Sequence, residues 1–217
     1  DAHSEAPAPV SALLSAALTD AYDAPVVLSG VGASIPLCTA LQQAVPDAQI
    51  ALPEVKIGLI PGAGGTQRLP RALGLEAALN MIVSGNAVPA LKLAGTPLFD
   101  ELAEGDLLDA AVAFAERLIR EKRPPQRVRD LKVQHPNPEG FLMFARNTVQ
   151  GIAGPYPAPG KCVEAVTAAA SQRFDEGLAT EQRLFYEVMH SPESRALRHI
   201  FFGERAAAKI PDVPDTT

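Results

Sequence analysis

The chain has 217 residues, enough at about 150 residues per domain for one or two domains with a real core. Hydrophobic residues at 47% and charged residues at 20% exclude a disordered or collagen-like chain, and with 5% aromatics and no Trp the core must be mostly Ala, Leu, Val and Ile. The net charge of −6 opposes long-range attraction to nucleic acid or anionic membrane, and no apolar run approaches the roughly 18–20 residues of a membrane span.

The opening Asp1-Ala2-His3-Ser4-Glu5 lacks the basic and apolar stretches of a secretory signal, so a cytoplasmic location is expected. There is no initiator Met, and the sequence is expected to begin inside a longer gene product. After a Pro/Ala-rich arm, Val10 to Tyr22 places Leu13, Leu14, Ala17 and Leu18 on one helical face. A short strand follows at Pro25-Val26-Val27-Leu28, turned by Gly30-Val31-Gly32. Ile35 to Val45 reads as weakly helical, and Ala48 to Leu52 as another short strand.

The stretch from Ile57 to Leu69 is an apolar turn running into the glycine-rich bend Gly62-Ala63-Gly64-Gly65, with Thr66 or Gly65 placed to cap the helix after it. Such a bend is expected to present free backbone N–H groups. Leu75 to Ser84 predicts a helix stopped by Gly85, and Pro89 to Ala94 a helix stopped by Gly95. A longer helix is predicted over Asp106 to Arg120, with Leu107, Leu108, Val112, Ala115 and Leu118 inward. Residues 121–140, rich in Pro, Arg and Gln, read as a connector.

Beyond it, Phe141 to Ile152, Lys161 to Ser171, Leu178 to His190 and Ser194 to Lys209 predict amphipathic helices. In the last pair, Leu184, Phe185, Val188 and Met189 answer Leu197, Ile200 and Phe201. The reading therefore divides the chain into residues 1–120, the connector 121–140 and a helical extension 141–217.

Several chemistries lack their motifs. Neither Gly30-Val31-Gly32 nor Gly62-Ala63-Gly64 continues into GxGxxG or a P-loop Lys-Ser/Thr, so neither a dinucleotide nor a P-loop nucleotide is expected. The histidines form no HxxxH pair, no metal is expected, and no GxSxG marks a serine nucleophile. Cys38 and Cys162 form no CxxC, so reduced buried thiols are expected. Seven cations from Arg117 to Lys132 face only Glu121 and Asp130 in the same span, and read as a solvated connector or as a site for a phosphate.

The run from Leu52 to Arg71, with Pro53-Glu54 and Ile60-Pro61-Gly62-Ala63-Gly64-Gly65-Thr66-Gln67-Arg68, closely resembles the crotonase superfamily of enoyl-CoA hydratases and isomerases. Met81-Ile82-Val83-Ser84-Gly85 and Leu91-Lys92-Leu93-Ala94-Gly95 are similar to the family's following segments. Phe174-Asp175-Glu176-Gly177-Leu178 and the run from Ser191 to His199 resemble the region after the hydratase part of bacterial multifunctional β-oxidation enzymes.

The resemblance implies an α/β, crotonase-like fold, incomplete here, with an all-α C-terminal extension. It implies enoyl-CoA hydratase or isomerase activity on acyl-CoA thioesters in fatty-acid β-oxidation, with coenzyme A present only as part of the substrate and no separate cofactor. Glu54 matches the proton-carrying glutamate, and Gly62, Gly64 and Gly65 are the matching substrate-binding positions. The implied assemblies are a homo-oligomer or a dehydrogenase partner domain.

The family's second glutamate would fall twenty residues before Glu54, where Ser34 stands, and no Gly-Gly-Gly run precedes it. The family's Ala-Gly-Ala-Asp loop would fall on Leu37-Cys38-Thr39-Ala40. Either residues near Gly32 to Ala44 are missing from a heavier polypeptide, or the chain is a shortened, non-catalytic packing or assembly module.

Overall fold

A computed structural model describes residues 49–103 and 106–207. The elements expected before Gln49, with Cys38 and the positions of the missing glutamate and Ala-Gly-Ala-Asp loop, lie outside the described residues. So does the tail after Ala207. Among the described residues are seven α-helices and one two-residue antiparallel strand pair, Gln49–Ile50 (β1) against Val88–Pro89 (β2), with Gln49 opposite Pro89 and Ile50 opposite Val88. The described part is thus mostly helical, and the sheet that an α/β reading needs is not found within it.

Pro53–Ile57 forms a 3-10 turn, and Gly65–Leu73 (α1) and Leu75–Ser84 (α2) follow it. Helix α2 spans the predicted residues because Gly85, at φ 62°, adopts the left-handed geometry that stops a helix and returns its N–H to the Met81 carbonyl. The helix predicted over Pro89 to Ala94 is instead β2 followed by a one-turn 3-10 segment, Ala90–Leu93. Pro89 sits in extended backbone at φ −55° and ψ 133°, so it ends the strand rather than opening an α-helix.

Helix α3, Leu107–Glu121, starts where the Asp106 side chain accepts the Asp109 N–H at 3.0 Å. Its expected inward face is corrected. Leu108 is 57% exposed, Val112 and Ala115 are also exposed, and no residue of the helix is fully buried. The half-buried side keeps Leu107 and Leu118, as expected, and adds Ala111 and Phe114.

Helix α4, Pro138–Ile152, begins three residues earlier than the apolar pattern suggests, because Asn137 caps it by accepting the Gly140 N–H at 3.0 Å and Pro138 supplies a preset first turn. Helices α5, Ala158–Ser171, α6, Phe174–Met189, and α7, Pro192–Ala207, complete the described chain. α5 is central and packs on α1, α2, α4 and α6. Its buried face is Ala158, Cys162, Val163, Ala165, Val166 and Ala169, whose small side chains let four neighbours approach closely.

One hydrophobic cluster includes Ile50, Ile60, Leu75 and Ile82 together with Leu142, Val163, Leu184 and Val188. Each such fully buried aliphatic side chain contributes about 1.5–3 kcal/mol. The connector 121–140 marks a change of composition, and the core is continuous across it.

Candidate active site

Glu54 is carried by the 3-10 turn Pro53–Ile57, which is set by proline at its start and ended by Gly58 at φ 72°. Only glycine suits Gly58: a β-carbon there would sit 2.8 Å from the Cα of Ser194, in α7. The Ser194 hydroxyl donates to the Ile57 carbonyl at 3.3 Å, so α7 is fastened to the turn that holds the carboxylate. Glu54 is half-buried, and its Oε2 is buried with no hydrogen-bond partner among the described residues. Burial raises its proton affinity above the ordinary carboxylate value of 4.5; a bond from its own backbone opposes this, and the charge of Glu181 adds to it.

Cys162 of α5 is fully buried, and its thiol is pushed well above its ordinary range, first by burial and then by the charge of Glu54. This fits the expected reduced, buried thiol at that position.

The glycine bend departs from expectation. Gly64 donates its N–H to Glu181 Oε1 at 2.6 Å, Gly65 donates to the Gly62 carbonyl at 2.9 Å, and Thr66 donates to Glu181 Oε2 at 2.9 Å. The N–H groups of Gly64, Gly65 and Thr66 are therefore engaged inside the protein, and the expectation of free donors there is corrected. The physical reason is that the bend opens α1, and its otherwise unpaired N–H groups are bound by a buried carboxylate. Gly64, at φ 83°, occupies the N-cap position.

Glu181 is only 3% exposed. The Thr66 hydroxyl also donates to its Oε2, at 2.5 Å. Leu178, Glu181 and Phe185 form one stripe of α6 along the bend: Leu178 lies against Gly64, and the Phe185 ring lies 3.4 Å from where a β-carbon would stand on Gly62. Burial raises the proton affinity of Glu181, while the Thr66 hydroxyl, the Gly64 and Thr66 N–H groups and the charge of Arg68 oppose that rise.

Beneath the bend, Gln67 is fully buried and its Nε2 donates to Thr66 Oγ1 and to the Ala165 carbonyl, both at 2.9 Å. The structure gathers the Gly62–Gly65 bend with Glu181, Thr66 and Gln67; the sequence reading gave Thr66 only a capping role and assigned none to Glu181 or Gln67. The available signal was a glutamate set in the otherwise apolar stripe Leu178, Leu184, Phe185 and Val188 of α6.

The cations of the connector are largely paired. Arg123 meets Asp100 at 3.7 Å, Arg127 meets Asp130 at 2.7 Å, Arg129 meets Asp175 at 2.6 Å, and Arg117 meets Glu101. Of these acids only Asp130 lies within the basic span. Three of the five excess charges are answered by carboxylates brought in by folding, which favours the solvated-connector reading over a phosphate site.

A family model described as enoyl-CoA hydratase/isomerase matches residues 27–138, which include Glu54 and the whole glycine bend. The chain belongs to the enoyl-CoA hydratase/isomerase family. It is also 31% identical over 195 residues to a peroxisomal bifunctional enzyme of Cavia porcellus, an alignment covering 87% of this chain and 27% of that protein. The chain therefore spans about a quarter of that relative's length, and the match extends past the family domain into the helical extension. Among the described residues, no helix is long and apolar enough to cross a membrane.

Proposed function

We propose that this chain carries the acyl-CoA site of an enoyl-CoA hydratase/isomerase of fatty-acid β-oxidation, with Glu54 as the proton carrier. The observation that supports this best is the state of Glu54. It is a carboxyl group in the family's own segment, held on a proline-started turn, with one buried oxygen that has no hydrogen-bond partner among the described residues and with burial favouring its protonated form.

In this reading the protonated Glu54 delivers its proton to C2 of the thioester as negative charge collapses from the thioester oxygen, and recovers one in the reverse direction. Isomerisation of a 3-enoyl-CoA needs only this shuttle: one carboxylate takes a proton from C2 and returns one to C4. Hydration needs in addition a base that activates water, and the matching position is Ser34. The chain should therefore favour isomerase over hydratase chemistry. Proton transfers of this kind move no net electrons, and the reading calls for no redox cofactor or metal. Because Gly64 and Gly65 spend their N–H groups on Glu181 and Gly62, they act here by shaping the turn, with Gly62 lying against Phe185. The word bifunctional in the relative's name supports a second catalytic unit, such as the expected dehydrogenase domain, in the same assembly.

The test is Glu54→Gln, assayed with a 2-enoyl-CoA and a 3-enoyl-CoA. Turnover should fall by about 10²–10⁴-fold while acyl-CoA binding is kept, because the amide preserves shape and removes the proton. Unchanged turnover would remove Glu54 from the proton-carrier role, and no turnover in the native protein would favour a non-catalytic packing module.

A further inference from the structure

A cavity of about 340 Å³ opens where the end of α4 turns into the start of α5. Arg146 and Gln150 line it from α4, Tyr156 and Pro157 from the connection, and Gly160 and Val163 from α5. All six lie outside residues 27–138, the stretch matched by the enoyl-CoA hydratase/isomerase family. Its size is at the low end of the roughly 300–1,000 Å³ usual for small-molecule sites, which suits a compact ligand.

The charge of the wall selects the kind of ligand. Arg146 is the only charged side chain lining the cavity, and it meets no carboxylate among the described residues. The one cation of α5, Lys161, is already bound to Glu164 at 3.1 Å and to Glu187 at 2.9 Å. The cavity therefore offers a single unanswered positive charge, with the neutral polar groups of Gln150 and Tyr156 beside it and apolar surface from Pro157 and Val163. A carboxylate balances such a wall, because a guanidinium can grip both its oxygens while amide and phenol donors serve the remaining lone pairs. A phosphate monoester carries nearly two negative charges at neutral pH and would be left half neutralised.

Gly160 supplies a separate observation. It stands in the first turn of α5, where glycine is a weaker helix former than alanine, yet its backbone is not left-handed and a β-carbon there would meet no atom within 4 Å. Packing inside the protein gives no reason for the missing side chain. Close approach of a bound molecule to the backbone does.

We propose that this cavity binds a small monocarboxylate with an apolar body, its carboxylate held by Arg146 with Gln150 and Tyr156, its hydrocarbon or ring lying on Pro157 and Val163 against the bare backbone of Gly160. Binding there does not depend on the role of Glu54 and uses no residue placed in the acyl-CoA site.

The test is a titration of the full chain with benzoate, hexanoate and inorganic phosphate, followed through the backbone amide resonances of positions 160 and 161. Benzoate, hexanoate or both should shift these resonances saturably, and phosphate at the same concentration should not. Arg146 is exposed, so Arg146→Gln leaves the fold intact, and it should weaken carboxylate binding about tenfold or more. Gly160→Ala puts a methyl group into the cavity and should also weaken binding about tenfold, while melting no lower than the native protein. No saturable shift with either carboxylate, an equal shift with phosphate, or unchanged binding in Arg146→Gln overturns the proposal. So does a Gly160→Ala variant that melts lower and binds as before, since the glycine then serves the fold.

Discussion

Thr66 and Glu181, 115 positions apart in sequence, are joined twice through one oxygen: the Thr66 N–H and the Thr66 hydroxyl both donate to Glu181 Oε2, at 2.9 and 2.5 Å. One residue at the start of α1 thus satisfies a buried charge on α6. The same hydroxyl accepts from Gln67 Nε2, which in turn reaches α5 at the Ala165 carbonyl. Three helices meet at one threonine side chain.

Thr66→Val keeps the shape of the side chain and removes the hydroxyl. It leaves Glu181 one donor short and Gln67 without one acceptor, which should cost about 1–3 kcal/mol. Urea unfolding at neutral pH should show a lower midpoint with an unchanged slope. A midpoint equal to that of the native protein would mean that water replaces the hydroxyl without loss.

Gly58→Ala should be destabilising for two separate reasons. The residue stands at φ 72°, which a β-carbon disfavours, and that β-carbon would meet the Cα of Ser194 at 2.8 Å. Backbone cannot swing aside as a long side chain can, so the cost should be about 1–3 kcal/mol. Because the same turn carries Glu54, turnover of an enoyl-CoA should fall in the fraction that stays folded. Denaturation and turnover measured on one preparation check both, and a fully stable, fully active variant contradicts the packing described for α7.

The acid–base balance of Glu54 sets a pH dependence of stability. Its proton affinity is higher in the folded chain than at the ordinary value of 4.5, so the folded state binds the proton more tightly than the unfolded state. The stability this confers is complete below that value and is lost as pH rises through the higher folded titration. Glu54→Gln removes this dependence. Relative to the native protein, the variant should therefore be more stable at about pH 8 than at about pH 4, as chemical denaturation at both can show. An equal difference at the two pH values would mean that Glu54 titrates as an ordinary surface carboxylate.

Some of this was plain in the sequence. Helix α2 was legible to the residue, because its apolar spacing runs straight into Gly85. The Glu54 turn and the glycine bend were legible through family resemblance. The inward face of α3 was not, since Leu108, Val112 and Ala115 are as apolar as the side that packs, and only tertiary contact chooses between the two. Glu181 stayed hidden because a glutamate in an amphipathic helix normally marks the solvent face. Its partners are backbone groups more than a hundred positions away, which no local pattern encodes. The engagement of the bend's N–H groups follows from the same long-range contact.

The core that runs unbroken from Ile50 to Val188 also shapes how the chain is made. Ile60, Leu75 and Ile82 leave the ribosome well before α5 and α6 exist to cover them. At about 5–20 residues per second, the 115 positions between Thr66 and Glu181 correspond to a wait on the order of ten seconds. During that interval the nascent chain carries an uncovered apolar face and an unanchored glycine bend, the state in which chaperones bind and in which neighbouring nascent chains can stick together.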